Sequence, residues 1–274
     1  MSLDLSINDL SESNLWDVAS FCLRNPEQEE WFCKGDCERI REAWRRKKRY
    51  LSDNLTRGAR AKIAYLGSKP VGFIEYYPIE ACNLEVVGRD ISVIWCINVL
   101  GQYLGRGIGS RLLRACIEDS RESGFKGVAT TSWDPFWMPS GFFKKQGFIE
   151  VSPAGSGKLL FYRLADDAEP PLWIGRGRTY DGLTLVEGKA AMDIFHSDRC
   201  PIHWRNTSLI LEIAKEFGDR IHLRFHNTDD RSEVLRHKIQ YAVYLEGRAI
   251  AMGPLVRADE VRARIREALA RRGV

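Results

Sequence analysis

Apolar residues in the first 165 positions fall into two kinds of pattern. Short runs rich in β-branched residues are typical of strands, whereas apolar positions three and four apart are typical of an amphipathic helix. We therefore predict an α/β fold class, in which strands and helices interleave along the chain. The predicted strands are 3–7, 61–66, 71–77, 91–100, 127–132, 148–151 and 159–164, and the predicted helices are 12–23, 36–55, 108–123 and 138–146.

Turn and cap signals set the limits of several of these elements. Ser11 is expected to cap helix 12–23, and Pro26 is expected to close it. Gly67-Ser68-Lys69-Pro70 separates two of the strands and predicts a hairpin.

A change of composition separates the second half of the chain. Pro170-Pro171 is followed by glycine and arginine residues, which predicts a linker over 166–181. The linker divides the chain into domains 1–165 and 182–274, a division that suits the length of 274 residues. In the second domain we predict strands at 183–186, 192–195, 221–225, 240–245 and 248–252, and helices from Pro201 to Phe217, over 231–236 and over 258–271.

A glycine-rich loop follows the predicted strand 91–100 and opens the helix after it. Glycines let the backbone approach an anion closely, and the N-terminus of a helix points unpaired N–H groups at that anion. The loop lacks the lysine of a P-loop, and strand 127–132 ends in hydroxyls rather than in an acidic ribose clamp. The pattern therefore favours a phosphate cradle of another kind, built on Gln102-x-x-Gly105-x-Gly107-x-Gly109.

The cradle resembles the pyrophosphate-binding loop of the GNAT acyltransferase superfamily. Phe142-Phe143-Lys144-Lys145-Gln146-Gly147-Phe148 resembles the closing helix and turn of the same family, and it follows in the expected order. The resemblance implies a mixed, mostly antiparallel sheet flanked by helices. It also implies an N-acetyltransferase that takes acetyl-CoA, or another acyl-CoA, as cosubstrate and an amine-bearing molecule as acceptor.

The resemblance also assigns cofactor-binding residues by position. The last residues of the strand would bind the pantetheine arm through their backbone, and the cradle would bind the pyrophosphate. The pantetheine group is Ile97, Asn98, Val99 and Leu100; the cradle group is Gln102, Gly105, Arg106, Gly107, Ile108, Gly109 and Ser110; the closing segment contributes Phe142, Phe143 and Lys145.

The catalytic groups are less well defined. Many family members carry a tyrosine as general acid where this chain has Phe143, so we expect Phe143 to form an apolar wall and another group to supply the proton. Glu75 or Glu85 could deprotonate an ammonium acceptor, with a surface strand carboxylate as the alternative for each. The candidate donors left open are Cys96, Asn98, Ser132 and Asp134.

The carboxy-terminal half resembles a thioredoxin-like βαβ-ββα domain, as in YoaP-like acetyltransferases that carry such a tail. Cys200-Pro201 stands where a strand meets its helix, and a helix N-terminus acidifies a thiol. Arg199 and His203 could add positive charge, so a reactive thiolate is expected at Cys200. The second cysteine of a dithiol oxidoreductase is missing, which leaves a structural or substrate-recognition domain open as well.

Composition limits the other classes of function. Seven cysteines, an odd number, favour free thiols over a secreted disulfide framework. Cys33 and Cys37 cannot close a zinc site without further ligands, so no metal ligands are assigned. A redox or metal-handling thiol protein, in which the GNAT half only binds CoA, remains the rival hypothesis.

Charge and hydropathy complete the expectations about partners. The net charge of +4 is small, and the basic run 45–49 is expected to be a solvated helix face, so nucleic acid is not an expected partner. No apolar run is long enough for a membrane helix, and a cytoplasmic location is expected. A homodimer is left open.

Overall fold

The computed structural model describes residues 4–23, 36–135, 137–154, 157–175, 179–253 and 255–273. Contacts divide the chain into two compact units. Unit 1 comprises Met1–Phe21 and Leu51–Gly175, and unit 2 comprises Cys22–Tyr50 and Arg176–Val274. This division departs from the predicted boundaries, because 22–50 groups with the carboxy-terminal half and 166–175 of the predicted linker groups with the amino-terminal half.

Unit 1 is built on a large mixed sheet. Its strands are β1 (Leu5–Asp9), β2 (Arg60–Leu66), β3 (Lys69–Pro78), β4 (Val86–Val87), β5 (Ile91–Val99), β6 (Gly127–Ser132), β7 (Ile149–Ala154), β8 (Gly157–Arg163) and β9 (Leu172–Trp173). Seven of them form one sheet in the order β1-β2-β3-β5-β6-β8-β7. All neighbours in it are antiparallel except β5 and β6, which confirms the predicted mixed, mostly antiparallel sheet.

The helices of unit 1 are α1 (Leu15–Ala19), α3 (Ile108–Glu122) and α4 (Ser140–Lys144), while α2 (Cys37–Leu55) is divided between the units. The apolar stripe of α3 packs on one face of the sheet, where Leu112 and Leu113 share a core cluster with Ile74 of β3 and Ile94 of β5. Each fully buried aliphatic side chain of this kind contributes about 1.5–3 kcal/mol. The cluster therefore fixes the start of α3 against β5.

Helix α1 is shorter than the predicted helix 12–23, and Ser11 does not cap it. Asn14 occupies the N-cap position, and its side chain bonds backwards along the chain. Its Oδ1 accepts from the Ser11 N–H (2.8 Å), and its Nδ2 donates to the Asp9 carbonyl (2.8 Å). This local turn competes with helix formation and holds the preceding residues outside α1. Pro26 lies outside the described residues.

Strand β5 carries a bulge at Trp95. Glu75 of β3 lies opposite Cys96, whereas the next residue, Tyr76, lies opposite Ile94. Trp95 is therefore the extra residue on β5. A bulge of this kind shifts the alternation of side chains by one position, so residues before and after it that would have faced opposite ways share a face.

The predicted linker is partly ordered structure. Leu172–Trp173 pairs with Val86–Val87 as an antiparallel two-stranded sheet, and Asp167 forms an ion pair with Lys126 (2.6 Å). The prolines at 170 and 171 are typical of a linker, but Leu172–Trp173 directly after them pairs with a strand of unit 1. This pairing is the reason why 166–175 belongs to unit 1.

Unit 2 contains a four-stranded sheet and three further helices. Its strands are β10 (Ala190–His196), β11 (Ile221–Asn227), β12 (Ala242–Leu245) and β13 (Arg248–Ala251), and its helices are α5 (Pro201–Lys215), α6 (Arg231–His237) and α7 (Ala258–Arg272). The strand order is β11-β10-β12-β13, with β10 and β11 parallel and the other pairs antiparallel. Ile210 of α5 and Ile265 of α7 are fully buried in the same core cluster as Met192 of β10.

The predicted strand 183–186 is wrong. Those residues form a loop, and Leu185 is 60 % exposed. Arg224 of β11 donates to the Gly182 carbonyl and to the Thr184 hydroxyl (both 2.6 Å). The Arg224 guanidinium thus holds the loop by hydrogen bonds to polar atoms of the loop. The apolar residues of the loop do not form the strand that they predicted.

The basic run 45–49 on α2 is not a uniformly solvated face. Ile40, Trp44 and Lys47 follow helical spacing, and this spacing buries Lys47 to 1 % exposure. Arg46 stacks over the Trp204 ring (3.5 Å) and pairs with Asp198 (3.1 Å). Although α2 is 19 residues long, neither it nor any other described helix is apolar enough to cross a lipid bilayer.

Candidate active site

The loop between β5 and α3 has the conformation that the glycine pattern predicted. Gly105 (φ 75°) and Gly107 (φ 76°) are left-handed, and Gly107 is the N-cap of α3. The first backbone bond of the helix runs from the Arg111 N–H to the Gly107 carbonyl (3.1 Å), so the N–H groups before Arg111 lie ahead of the helical ladder. A Cβ at Gly105 or Gly107 would meet nothing within 4 Å, which shows that the outer side of the loop is open.

The electrostatics of this loop suit an anion. The first turn of α3 carries no acidic residue. The guanidinium of Arg106 lies 5.5 Å and the ammonium of Lys69 lies 5.8 Å from the centre of the Tyr103 ring. A hydrogen bond from Gln102 and these two positive charges lower the pKa of Tyr103. Two cations and a helix N-terminus therefore face the same open loop.

Strands β5 and β6 separate just before this loop. Their parallel pairing runs from Ile91–Gly127 to Ile94–Thr130 and ends there, although both strands continue. The Thr130 hydroxyl donates to the Ile94 carbonyl (3.1 Å) at the point of separation. Of the residues predicted to bind the pantetheine arm, Ile97, Asn98, Val99 and Leu100 are all half-buried along the separated stretch. The Leu100 N–H itself donates to Val71 of β3 (3.0 Å).

The closing segment packs on the start of α3. A Cβ at Gly109 would lie 3.5 Å from the Phe142 ring, and Gln146 Nε2 donates to Ser110 Oγ (3.4 Å). Lys145 is exposed. Phe143, by contrast, is fully buried and makes edge contacts with the rings of Phe142 and Phe148. The expected apolar wall at Phe143 is therefore wrong in this structure, because successive residues of a one-turn helix point in different directions and Phe143 points into the core.

A comparison with protein families identifies this region. Residues 23–148 match the family model of the acetyltransferase (GNAT) family. This stretch of the chain is therefore similar to GNAT acetyltransferases. The matched residues include the separated strands, the glycine loop and the closing segment, so the similarity extends over every part of the candidate site described so far. No curated protein matches the sequence.

Several solved structures are similar to part of the chain. PaiA N-acetyltransferase from Thermoplasma acidophilum, in complex with coenzyme A, is 17 % identical over 59 % of this chain and 99 % of its own, with a TM-score of 0.44. The ribosomal-protein-S18-alanine N-acetyltransferase from Escherichia coli is 14 % identical over 60 % of this chain and 97 % of its own, with a TM-score of 0.42. YhbS from Escherichia coli, in complex with CoA, is 16 % identical over 61 % of this chain and 85 % of its own, with a TM-score of 0.42.

Three candidate catalytic residues of unit 1 lie on one face of the sheet. Glu75 and Cys96 are opposite each other on β3 and β5, and Asn98 follows two positions later on the same side as Cys96. Ile74, next to Glu75, faces α3, so this group lies on the other face. Glu75 is fully buried and accepts a hydrogen bond from the Tyr77 hydroxyl (2.7 Å), which makes the surface-carboxylate alternative wrong for it.

The side chain of Asp134 stabilises the start of α4. It is exposed, and both of its oxygens are engaged at the start of α4, where they accept from the Ser140 N–H (2.7 Å) and the Ser140 hydroxyl (2.6 Å). These hydrogen bonds and the ammonium of Lys158 hold the pKa of Asp134 down at about 2. A carboxyl group that stays ionised in this way is a poor proton donor at neutral pH.

Ser132, the last residue of β6, differs from the exposed Asp134 in its environment. It is fully buried, and its hydroxyl has no hydrogen-bond partner within the described part of the chain. It follows Thr130, at which the pairing with β5 ends. Composition and spacing alone give no reason to prefer it over the other candidates; its burial is visible only in the structure.

The six described cysteines form no disulfide within the described residues, and Cys33 lies outside those residues. Cys200 is indeed the N-cap of α5. Desolvation nevertheless raises the pKa of its thiol to about 11 and outweighs the lowering effect of Lys47 and of two backbone N–H groups. His203 adds no charge, because burial lowers its pKa well below the ordinary value. These environments oppose the reactive thiolate predicted at Cys200, which stays a prediction.

Proposed function

We propose that the GNAT domain transfers an acetyl group from acetyl-CoA to the nitrogen of an amine acceptor. The observation that carries the proposal is the end of the β5–β6 pairing at Ile94 and Thr130, directly before a left-handed glycine loop that opens α3. The separated strands offer a slot for an extended arm, and the open loop offers a cradle for its phosphates.

The residues of the loop fit the charged end of acetyl-CoA. Gly105 and Gly107 leave room for the backbone to approach a pyrophosphate, and Arg106 and Lys69 bring positive charge to the same place. Bound there, acetyl-CoA supplies an activated thioester. The protein binds and orients this group, and positioning alone can account for several kcal/mol of rate acceleration.

Glu75 is the group that we propose as general base. An ammonium acceptor must lose a proton before its nitrogen can attack, and a buried carboxylate beside the separated strands can take that proton directly or through water. Tyr77 orients the carboxylate through its hydrogen bond (2.7 Å). Ser132 is proposed to donate a hydrogen bond toward the leaving sulfur, since Phe143 has no proton to give.

Release of free CoA over a panel of amines tests this proposal. With the best acceptor, Glu75→Gln should lower kcat by about 10²–10⁴-fold and leave the affinity for acetyl-CoA unchanged. Glu85→Gln tests the second glutamate that the sequence offered as a base, a half-buried residue in the loop before β4. It should keep the parent kcat if Glu75 is the base. Equal kcat values for Glu75→Gln and the parent enzyme would contradict the role of Glu75.

The remaining expectations belong to the same proposal. The βαβ unit β10-α5-β11, followed by the hairpin β12-β13 and by α7, supports a thioredoxin-like fold for the carboxy-terminal half. A structural or substrate-recognition role there is favoured over thiol chemistry, because burial raises the pKa of the Cys200 thiol to about 11. The cytoplasmic location and a homodimer stay predictions, and so does the absence of nucleic acid among the partners.

A further inference from the structure

Two histidines and a glutamate converge at one end of β11. His226 lies near the end of that strand, and Glu233 and His237 are one turn apart on α6. One ligand atom from each residue lies within 4.8 Å of the other two. The three side chains are half-buried, and none of them belongs to the GNAT domain.

The distances within this cluster are longer than hydrogen bonds. Glu233 Oε2 lies 3.7 Å from His226 Nδ1 and 3.5 Å from His237 Nε2. Hydrogen bonds between such groups are 2.7–3.2 Å long. Tetrahedral ligands about 2.0–2.1 Å from a zinc ion are themselves about 3.3–3.4 Å apart. The single oxygen Oε2 thus stands at a ligand-to-ligand spacing from both imidazoles.

In each imidazole, the ring nitrogen that does not approach Glu233 lies close to another polar group. His226 Nε2 lies 2.9 Å from Oδ1 of Asp193, a carboxylate that is 1 % exposed. His237 Nδ1 lies 3.2 Å from the Tyr180 hydroxyl. Histidines that bind metals generally donate their second N–H to a carboxylate or another acceptor, which fixes the ring and its tautomer. Both histidines of the cluster have such a partner at their second nitrogen, Asp193 for His226 and Tyr180 for His237.

Aromatic packing adds to the fixed geometry. The Phe195 ring stacks on His226 with centroids 4.2 Å apart and an interplanar angle of 7°. The same ring meets the edge of His237 at 5.2 Å. The two imidazoles are therefore oriented by packing as well as by polar contacts.

We propose that unit 2 binds one divalent transition-metal ion of the zinc type through His226 Nδ1, Glu233 Oε2 and His237 Nε2. Three protein ligands leave at least one coordination position open. A cavity of about 360 Å³, lined by Tyr180, Arg224, His226, Arg236 and His237 among others, adjoins the cluster. His226 and His237 themselves line this cavity, so water or an anion inside it can complete the coordination.

Metal titration of the full-length protein tests the proposal. The chain is first freed of metal with a chelator, and Zn²⁺ binding is followed by calorimetry while Co²⁺ binding is followed by its visible absorption. We expect one ion per chain, with His and carboxylate ligands in the Co²⁺ spectrum and no thiolate charge-transfer band. His226→Gln and His237→Gln should each abolish this binding, and Asp193→Asn should weaken it about 10–100-fold.

The control variant is His222→Gln, which removes a half-buried histidine from the same strand, outside the cluster. It should bind Zn²⁺ as the parent does. Glu233→Gln serves as a third ligand variant on a half-buried side chain, in case a histidine variant does not fold by circular dichroism. The proposal is overturned if the parent protein binds no metal, if a thiolate band appears, or if a folded ligand variant keeps the parent affinity.

Discussion

At the scale of single residues, burial decides which sequence-based expectations survive. Cys200 was correctly placed at a helix N-terminus, but desolvation outweighs the helix dipole at that position. Burial also changes the interpretation of Glu75. A glutamate on a strand is usually exposed, but this one is fully buried. Residue type and spacing predict where a group lies along the chain, whereas the environment of its polar atoms depends on segments far away in sequence.

Cys200 gives a pH prediction. A folded-state pKa of about 11 leaves almost no thiolate at neutral pH, so alkylation by iodoacetamide should be slow at pH 7 and should accelerate as the pH rises toward 11. Peptide mass spectrometry of the native protein over a pH series measures this rate, with the half-buried Cys37 as an internal comparison. Half-maximal labelling below about pH 8.5, the ordinary range of a cysteine, would contradict the account.

At the scale of elements, the strands and helices of the amino-terminal half could be predicted well. The hairpin β2-β3, strand β6 and helix α3 lie within one or two residues of their expected limits, because each has a strong apolar period and a glycine signal at its end. The predicted strand 183–186 is wrong, and the predicted solvated face of α2 holds only in part, because Arg46 and Lys47 are not exposed. In both, the outcome depends on a partner that is distant in sequence, Arg224 for the loop and Trp204 for Arg46.

The close approach of β8 to β6 gives a prediction about stability. A Cβ at Gly157 would collide with the Ser132 carbonyl and would lie 2.9 Å from Nε1 of Trp133. Gly157→Ala should therefore destabilise the protein by about 1–3 kcal/mol, the usual cost of overpacking. Gly141→Ala is the control, since a Cβ there meets nothing within 4 Å. Thermal or urea unfolding measures both, and equal stability of Gly157→Ala and the parent would show that the strands are not packed in this way.

At the scale of the whole molecule, the two units carry different candidate sites. The cradle, the strand separation and the buried Glu75 belong to unit 1, and the histidine–glutamate cluster belongs to unit 2. The cradle could be predicted from the sequence because its three glycines, Gly105, Gly107 and Gly109, lie within five consecutive residues. The cluster could not, because it joins residues of β11 and α6 to second-layer groups from 180 and 193, and no short motif contains them all.

Acetyl-CoA binding by the full-length protein is the most direct test of the central claim. Gly107→Glu and Gly124→Glu place the same carboxylate at opposite ends of α3, at left-handed positions of nearly equal φ (76° and 80°) where a Cβ meets nothing within 4 Å. The two variants therefore carry similar backbone strain, and they differ in the distance of the new carboxylate from the cradle.

Isothermal titration calorimetry should show acetyl-CoA binding by the parent protein and by Gly124→Glu with equal affinity. Gly107→Glu should bind at least about tenfold more weakly, a loss of about 1.4 kcal/mol, because its carboxylate repels the pyrophosphate and fills the space above the loop. No binding by the parent protein, or equal binding by Gly107→Glu and Gly124→Glu, would contradict the assignment of the cradle.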